Sequence, residues 1–511
     1  MRGWVIAEGA GATSDVALKP IAKVSPGFVD PELVDLSTWA AWRWAGRRRS
    51  FLSTATAPLP PQSVPASRPA GAQSAYGFAE EALSKSRSVL RLGPAIDPWP
   101  VIEAAAARGP ALVLLPSLAR VDRLQRRLRE AGIRGVVVGA RAGAWAACPG
   151  LASVVVIDAH DEVYSEERAP TWNAWVVAAE RAARADVPCV LVTPTPTQEH
   201  LAWGDVVETD RSTERRGWAR IEIVDRRGDD PRTGLWSSRV VDVVRSGGRV
   251  LCILNRTGRA KLLRCGACGT VATCERCASA VRQDADKSLV CDRCTAVRPT
   301  VCTDCGSSKF AALRIGTAKA AEELAALVGS PVGEVTGASS EVPGTPVLVG
   351  TEALLHRVGR ADVVVFVDLD AELSAPHFRA NEAALALLAR ASRIVRGRTE
   401  DGRVVLQTRQ PDHPVLVAAV ASEPQRLADV DAELRRELHL PPFSAFAQVS
   451  GDGAPSVVDS VRGQIGVEVI GPDNHDAFLV RAAAHGQLCD ALARVDRPAE
   501  RVRISVDPVR V

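Results

Sequence analysis

Eight of the twelve cysteines in this 511-residue chain lie in one short stretch, as four pairs whose members are two residues apart. Two intervening residues let the backbone turn so that both sulfurs face one ion, about 2.3 Å away in a zinc site. Eight thiolates are enough for two tetrahedral zinc sites, which are structural because four sulfurs leave no position for water. The pairs are Cys265 and Cys268, Cys274 and Cys277, Cys291 and Cys294, and Cys302 and Cys305.

Paired cysteines also occur in redox dithiols and in iron–sulfur clusters. We favour zinc because all four pairs fall within one compact stretch, and the spacing alone leaves open which pairs share an ion. Gly266, Gly269 and Gly306 supply the permissive backbone that such turns need. The other four cysteines lie singly in apolar surroundings and are predicted to be small core residues: Cys148, Cys189, Cys252 and Cys489.

The composition describes a folded protein whose charge says little about its partners. Hydrophobic residues make up 46% of the chain, and the formal net charge is +3. Lysine accounts for only seven of the 63 basic residues; arginine, the rest, suits phosphate because its planar fork donates to two oxygens. No secretory signal and no apolar run of membrane-spanning length is recognisable, so we expect a cytoplasmic protein with metal-bound cysteines and no membrane partner.

The order of apolar segments predicts an α/β protein. From Val89 onward, buried strand candidates such as Ala111–Leu115 and Ser153–Ile157 alternate with helices such as Leu118–Ala131, which is typical of parallel sheets. A second α/β unit begins near Ser238, and the cysteine stretch interrupts it as an inserted module. Before these units, Pro31–Ala57 is predicted to be a helix followed by a linker, and the last ninety residues form a small α+β domain.

A series of short motifs runs along nearly the whole chain: Leu18–Ile21, Leu251–Gly258, Arg264–Gly269, Gly316-Thr317, Glu322–Leu324, Gly350-Thr351, Asp368–Ala371, Phe378–Glu382, Gln407–Pro414 and Glu437–Phe443. In this order they resemble the motifs of the PriA family of replication restart proteins. The resemblance implies two helicase-like (RecA-like) lobes, the second of which carries the inserted two-zinc, eight-cysteine module. A partial N-terminal DNA-binding domain and the C-terminal α+β domain would flank them, since the family's first domain begins earlier than this chain does.

The predicted domain boundaries follow from these patterns and from the resemblance. They are 1–61 for the partial N-terminal DNA-binding domain, 62–84 for the linker, 85–210 for a degenerate first lobe, 211–264 for the start of the second lobe, 265–310 for the zinc-binding insertion, 311–420 for the rest of the second lobe, and 421–511 for the C-terminal domain.

The resemblance also implies a zinc pairing and a set of partners. In the family the pairing is nested, so that one ion would be held by Cys265, Cys268, Cys302 and Cys305, and the other by Cys274, Cys277, Cys291 and Cys294. The family recognises branched replication forks and reloads the replicative helicase. The implied partners are branched and single-stranded DNA, the replicative helicase or its loader, and single-strand-binding protein, which would place the chain at the nucleoid.

The motifs that would bind ATP are absent. A helicase needs a glycine-rich loop ending in Lys-Ser/Thr, but the chain has no Gly-Lys dipeptide, and Arg91–Pro98 stands in that place with Asp97 and two prolines. The Mg²⁺-binding acidic motif falls at Ile157–His160, where only Asp158 remains as a carboxylate. Thr193–Thr197 and Arg390–Arg398 have diverged with them. We therefore expect neither ATP nor Mg²⁺ and name no catalytic or nucleotide-binding residue.

Three functions are compatible with this sequence. The favoured one is a fork-binding replication restart protein without helicase activity, with phosphate contacts from Arg47–Arg49, the zinc module and Arg390–Arg398. Trp39, Trp42 and Trp44 are candidates for stacking on bases, although their helical spacing favours core positions. The alternatives are an active ATP-dependent 3′–5′ helicase with an atypical nucleotide site, and a zinc-dependent protein-interaction module.

Overall fold

A computed structural model describes residues 30–56, 77–229, 234–254, 263–276, 279, 281–284, 286–291, 294–312, 316–473 and 476–510. The motif Leu18–Ile21 and most of the predicted linker lie outside these residues. Contacts divide the chain into two compact units. Unit 1 comprises Met1–Ser88, Trp99–Leu191 and Leu438–Val509, and unit 2 comprises Val89–Pro98, Val192–Glu437 and Arg510–Val511.

The helices are α1 (Pro31–Arg43), α2 (Arg48–Ala55), α3 (Gly77–Ser84), α4 (Trp99–Arg108), α5 (Leu118–Glu130), α6 (Ala174–Ala185), α7 (Gln198–Trp203), α8 (Arg211–Gly217), α9 (Ser238–Arg245), α10 (Thr317–Val328), α11 (Ala353–Arg357), α12 (Asp370–Leu373), α13 (Ala380–Ile394), α14 (Pro414–Ala421), α15 (Pro424–Glu437), α16 (Ala454–Val461) and α17 (His485–Ala493).

The strands are β1 (Arg87–Arg91), β2 (Ala111–Leu114), β3 (Val136–Gly139), β4 (Ser153–Ile157), β5 (Ser165–Glu166), β6 (Trp172–Asn173), β7 (Cys189–Thr193), β8 (Asp205–Glu208), β9 (Arg220–Asp225), β10 (Val250–Ile253), β11 (Leu263–Cys265), β12 (Val281–Gln283), β13 (Leu289–Cys291), β14 (Val297–Arg298), β15 (Phe310–Ala312), β16 (Val332–Val335), β17 (Val347–Gly350), β18 (Val363–Phe366), β19 (Arg403–Thr408), β20 (Ala445–Ser450), β21 (Val467–Ile470), β22 (Phe478–Ala482) and β23 (Arg503–Val506).

The first large sheet has the strand order β3-β2-β4-β7-β1-β8. Its strand β2 pairs in parallel with both β3 and β4. Every residue of β2, β4 and β7 is buried, as expected for strands that are covered by helices on both faces. The predicted strands Ala111–Leu115 and Ser153–Ile157 therefore lie side by side at the centre of this sheet.

The second large sheet has the order β16-β17-β10-β18-β19-β9, and all of its described strand pairs are parallel. Its central strand β10 alternates between two cores. Leu251 and Ile253 pack into the core on one face, and Val250, Cys252 and Leu254 pack into the core on the other. The cysteine stretch follows the carboxyl end of β10 before α10 continues the unit. The predicted α/β class, with a cysteine module inserted in the second sheet's unit, is confirmed.

The C-terminal part of unit 1 contains an antiparallel sheet with the order β21-β22-β20-β23. Its helices α16 and α17 pack on this sheet through apolar residues such as Val457 and Leu488. This arrangement agrees with the α+β character expected for the last ninety residues, although α15, which precedes it, belongs to unit 2.

Two predicted segments differ from the structure. The helix expected over Pro31–Ala57 is broken into α1 and α2, because Ala45 adopts a φ of 45° and Gly46 lies where a side chain would overlap the ring of Phe51. The last eight residues of the predicted linker form α3, which buries Ala79, Ala82 and Leu83 and is therefore part of the folded unit. None of the described helices is both long and apolar enough to cross a membrane.

Candidate metal centre

The cysteine pairs share one backbone turn. The N–H of the first cysteine in each pair donates to the carbonyl oxygen five residues later, which curls the chain around the two thiols. The four bonds join Cys265 to Thr270 (2.8 Å), Cys274 to Ser279 (2.8 Å), Cys291 to Ala296 (2.9 Å) and Cys302 to Ser307 (2.9 Å). Such recurrence along 40 residues indicates one structural motif used four times.

The fourth residue after the first cysteine closes the turn in a left-handed conformation. Gly269 and Gly306 adopt φ values of 79° and 73°, and each donates its N–H to the first cysteine's carbonyl at 3.0 Å. Thr295 takes the same place in the third turn with a φ of 56°. Two of the three described positions are therefore glycine, which adopts this backbone without steric cost.

Four sulfurs converge in the first cluster. The Sγ atoms of Cys265, Cys268, Cys302 and Cys305 all lie within 4.8 Å of one another. Cys265 lies 3.5 Å from Cys305, and Cys268 lies 3.5 Å from Cys302. Sulfurs at the corners of a tetrahedron with bonds of about 2.3 Å would be about 3.8 Å apart. The arrangement fits a zinc ion, and it brings together the four cysteines that the resemblance assigned to one ion.

The second cluster contains three described sulfurs. The Sγ atoms of Cys274, Cys291 and Cys294 lie within 4.8 Å of one another, and Cys274 is 3.4 Å from Cys294. Antiparallel pairing of β12 with β13, in which Val281 faces Cys291, positions this group. Cys277, the fourth predicted ligand, lies outside the described residues, so its ligation stays a prediction.

The strand pair β11–β15 brings the two halves of the first cluster together. Cys265 pairs with Phe310, so that the turns at the two ends of the module meet. Thr270 reinforces this closure because its hydroxyl donates to Asp304 at 2.7 Å. Sequence reasoning did not single out either residue; the only signal was a polar side chain close to a cysteine in each turn.

The surroundings of the clustered thiols differ from those of the single cysteines. Desolvation opposes ionisation of Cys265, but N–H groups of Cys268 and Ala267 overcome it and lower the pKa of that thiol to about 6. Burial raises the pKa of both Cys189 and Cys252 to about 12. Within the first cluster the thiols divide, since the pKa is lowered for Cys265 and Cys268 but raised for Cys302 and Cys305. The single cysteines are buried core thiols, as predicted.

In the loop that replaces the nucleotide-binding loop, three backbone N–H groups donate to carbonyl oxygens of the protein itself. The N–H groups of this loop donate to carbonyl oxygens as follows: Leu92 to Thr193 (3.2 Å), Ala95 to Gly217 (3.0 Å) and Ile96 to Gly93 (2.9 Å). Pro94 and Pro98 have no N–H to offer. A Cβ on Gly93 would lie 2.9 Å from the carbonyl oxygen of Glu214, so the loop is packed directly against α8. Three N–H groups of the loop are therefore already engaged, and both proline positions offer no donor to a phosphate.

Asp158, the one carboxylate left in the acidic motif, is also engaged. It is 3% exposed, adopts a φ of 55°, and accepts a hydrogen bond from the guanidinium of Arg120. The hydroxyl of Tyr164 donates to the neighbouring carbonyl of Ile157 at 2.7 Å. A buried carboxylate that is already neutralised by an arginine is poorly placed to hold Mg²⁺.

The two other diverged motifs have internal partners as well. Thr193 accepts from the N–H of Thr195 at 3.1 Å, and Thr197 caps α7. Arg393, from the arginine-rich motif, donates to the carbonyl oxygen of Pro94 at 2.7 Å. An arginine from α13 is thus directed at the backbone of the replaced loop rather than at a phosphate.

Trp39, Trp42 and Trp44 make contacts within unit 1, where Trp44 is buried and the other two are half-buried. Trp44 is 1% exposed and forms an edge-on contact with Trp39 at 5.3 Å between ring centroids. Trp42 donates its indole N–H to Asp490 at 2.8 Å. The structural explanation of these three residues is therefore favoured over base stacking.

Comparison with known proteins finds curated relatives that are similar over much of the chain. No protein-family model matches the chain. It is 29% identical to the probable replication restart protein PriA of Mycobacterium leprae over 470 residues, which cover 86% of this chain and 70% of that protein. It is 25% identical to the PriA of Haemophilus influenzae over 64% of the chain and of Thermotoga maritima over 68%. The chain is a PriA-like protein.

This PriA-like chain spans about half the length of two of those relatives, 48% for Haemophilus and 51% for Thermotoga. Among solved structures it is similar to S. cerevisiae Dbp5 bound to RNA and ADP BeF3, with a TM-score of 0.36 and 11% identity over 71% of this chain and 93% of that one. The helicase HrpB of Escherichia coli gives a TM-score of 0.33 at 11% identity over 66% of this chain and 42% of that one. The fold class of the PriA-like chain is established by its own two parallel sheets.

Proposed function

We propose that the chain is a zinc-carrying replication restart protein that binds branched DNA at stalled forks, recruits the replicative helicase, and does not hydrolyse ATP. Its PriA relatives are named for replication restart, and the motif order along the chain supports the same role here. Branched and single-stranded DNA, a helicase or its loader, and single-strand-binding protein are the proposed partners, at the nucleoid.

Two zinc ions would hold the inserted module. Cys265, Cys268, Cys302 and Cys305 would bind one ion, and Cys274, Cys277, Cys291 and Cys294 the other. Zinc would supply folding free energy and no chemical step, because four thiolates close its coordination shell. The chain's own part is to preset the turns, which already place seven of the eight sulfurs in two groups.

The observation that carries the absence of ATP hydrolysis is the loop over Arg91–Pro98. Phosphoryl transfer depends on backbone N–H groups, a lysine and Mg²⁺ around the phosphates. Here the N–H of Ala95 donates to the carbonyl oxygen of Gly217 at 3.0 Å, and the carbonyl oxygen of Pro94 accepts a hydrogen bond from the guanidinium of Arg393 at 2.7 Å. Since the N–H groups of Leu92, Ala95 and Ile96 are already hydrogen-bonded and the loop contains no lysine, a triphosphate would have to displace native hydrogen bonds to use them.

Contacts to DNA phosphates would come from exposed arginines. Arg47 and Arg49 are exposed, whereas Arg48 donates to Ser37 and to the carbonyl of Val34, both at 3.2 Å. In the span Arg390–Arg398, Arg393 is engaged by the replaced loop. Binding should be independent of base sequence and sensitive to salt, since counterion release drives phosphate contacts.

One zinc-loaded preparation tests the proposal through two measurements, fork-DNA affinity at low salt and DNA-stimulated ATPase activity. We expect fork binding without turnover. ATP turnover that Asp158→Ala abolishes would establish the active-helicase alternative instead. An absence of fork binding at low salt, with retained binding of a helicase loader or single-strand-binding protein, would establish the protein-interaction alternative.

A further inference from the structure

Two arginine-rich segments of unit 2 lie against each other. The first is 211–220, which contains α8 and the start of β9, and the second is 396–403, which leads into β19. The N–H of Arg398 donates to the carbonyl of Trp218 at 3.0 Å, and the N–H of Arg220 donates to Gly402 at 2.9 Å. A Cβ on Gly397 would lie 2.4 Å from the carbonyl oxygen of Arg216. These backbone contacts fix both segments as one surface.

This surface, called the α8 basic surface below, carries an excess of positive charge. The two segments contain seven arginines: Arg211, Arg215, Arg216, Arg220, Arg396, Arg398 and Arg403. They contain only three acidic residues. Glu214 is buried against Arg91, and Glu400 pairs with Arg360 at 2.8 Å, so two of the three are already neutralised by arginines outside the surface.

Two of the seven arginines, Arg398 and Arg211, connect the surface to neighbouring backbone and side chains. Arg398 donates to the carbonyl of Arg215 and to the hydroxyl of Ser422, both at 2.8 Å. Arg211 donates to the carbonyl of Ser422 at 2.7 Å and pairs with Glu423. Both side chains thereby meet the carboxyl end of α14, where cations are stabilised by the helix dipole.

The outward arginines have no acidic partner. Arg215, Arg216, Arg220 and Arg396 are exposed, and within the described part of the chain none of them forms an ion pair with a carboxylate. Arg220 also faces Arg403 in the register of the parallel pair β9–β19. Like charges on neighbouring strands are unfavourable, and the carboxylate of Glu222 offsets only part of this charge because its hydrogen bond goes to Arg239.

Burial, together with the charges of Arg215, Arg220 and Arg211, lowers the pKa of Arg398. A partner with closely spaced negative charges would relieve this repulsion. Arginine forks match phosphate oxygens in geometry, and a duplex carries one phosphate charge per about 1.7 Å of its axis.

We infer that the α8 basic surface is a binding site for the sugar-phosphate backbone of DNA, separate from the zinc module. The inference rests on the proposed function, since it assigns part of the fork contact to a definite place. Arg215, Arg216, Arg220 and Arg396 contact phosphates, and Arg211 and Arg398 hold the surface in place.

The test compares three proteins in fork-DNA titrations over a series of salt concentrations. One is the wild type, one carries Arg215→Gln, Arg220→Gln and Arg396→Gln, and the charge-matched control carries Arg462→Gln, Arg494→Gln and Arg501→Gln. All three substituted residues of the control are exposed residues of unit 1. Zinc content and thermal unfolding of each variant are measured first, and neither should change because all the replaced side chains are exposed.

We expect the first triple variant to bind fork DNA at least about tenfold more weakly than wild type. The slope of log affinity against log salt concentration should become shallower by about 2 to 3, since each lost phosphate contact removes about 0.9 from it. The control should remain close to wild type. Equal affinities for the triple variant and wild type, or equal losses for both variants, overturn the inference. A parallel titration with poly-glutamate tests for an acidic protein partner. If the first triple variant loses poly-glutamate binding while its DNA binding is unchanged, the inference is overturned. If the wild type binds no DNA, the proposed function itself fails.

Discussion

Gly350 shows why one residue of a recognisable motif cannot be replaced. It ends β17, where the strand lies between β10 and β16, and a Cβ there would lie 1.9 Å from the carbonyl oxygen of Val335. Backbone cannot move aside as a flexible side chain can. The glycine in the motif Gly350-Thr351 is therefore explained by a close approach of two strands.

Gly350→Ala should destabilise the protein by about 1–3 kcal/mol or more, because the added methyl group must separate two paired strands. Gly344→Ala is the matched control, since no atom lies within 4 Å of its Cβ position, and its effect should stay within about 0.5 kcal/mol. Urea unfolding of both variants measures the difference. Equal stabilities would show that the strands separate without cost.

Asp370 is a second residue whose surroundings have a measurable consequence. It is 5% exposed and lies at the amino end of α12. Its carboxyl group accepts hydrogen bonds from the hydroxyl of Thr408 and from the N–H of Arg409, the latter at 3.0 Å. Burial, together with the charge of Asp368, raises the pKa of this carboxyl to about 6. The carboxylate form is thus disfavoured in the folded state.

The stability contributed by Asp370 should therefore be complete below pH 4 and should be lost as the pH rises through about 6. In the unfolded chain this carboxyl ionises near pH 4, so the folded state alone keeps the proton between these values. Relative to Asp370→Asn, the wild type should lose about 2–3 kcal/mol between pH 4 and pH 7. Unfolding free energies of both proteins across this range provide the measurement. A constant difference would contradict the raised pKa.

At the scale of elements, the cysteine module has too little core to fold by itself. Its buried apolar cluster contains six residues: Leu263, Ala272, Cys274, Val281, Leu289 and Cys291. Its strands are two or three residues long. Domains of this size usually need metal or disulfides, so the module's order should depend on the ions.

Removing one ligand should consequently unfold the module locally. Cys268→Ser is expected to lower the zinc content from two ions per chain toward one and to open residues 263–312 to proteolysis, while the two large sheets remain folded. Cys148→Ser replaces a buried single cysteine and should leave both ions bound. Metal analysis combined with limited proteolysis distinguishes the cases; a variant that retains two ions would show that Cys268 is not a ligand.

The elements that sequence reasoning could find are those specified by local pattern. The apolar runs predicted at Ala111–Leu115 and Ser153–Ile157 became the strands Ala111–Leu114 and Ser153–Ile157, because a strand buried on both faces favours apolar residues. The cysteine spacing likewise placed the sulfurs in turns. Both signals lie within a few residues of the structure they specify.

What the sequence could not supply depends on residues far apart in the chain. At the break between α1 and α2, a Cβ on Gly46 would lie 2.8 Å from the side chain of Pro170. The engagement of Ala95 by Gly217 and of Pro94 by Arg393 joins segments more than a hundred residues apart. No local sequence pattern predicts such contacts. The hydrogen bonds that engage the loop over Arg91–Pro98 could therefore be identified only from the structure.

At the scale of the whole molecule, a buried charge network joins three distant parts of unit 2. Arg435 of α15 is 1% exposed and pairs with Glu199 of α7 at 3.3 Å and with Glu382 of α13 at 2.9 Å. Arg379 pairs with Glu199 at 2.7 Å, and Asp431 lies 4.0 Å from Arg435. Two arginines thus face three carboxylates, and burial raises the pKa of Glu382.

Arg435→Met should destabilise unit 2 by about 3–5 kcal/mol, because it leaves three buried carboxylates with one arginine. Arg436→Met, at the exposed neighbouring position, is the control and should cost less than about 1 kcal/mol. Adding Glu382→Gln to Arg435→Met removes one of the surplus charges, so the double variant should regain part of the lost stability even though it has lost two charged side chains. Denaturant unfolding of the four proteins measures this coupling. If the double variant were less stable than Arg435→Met alone, the cost would come from lost packing around α15, and the network would not be what holds α7, α13 and α15 together.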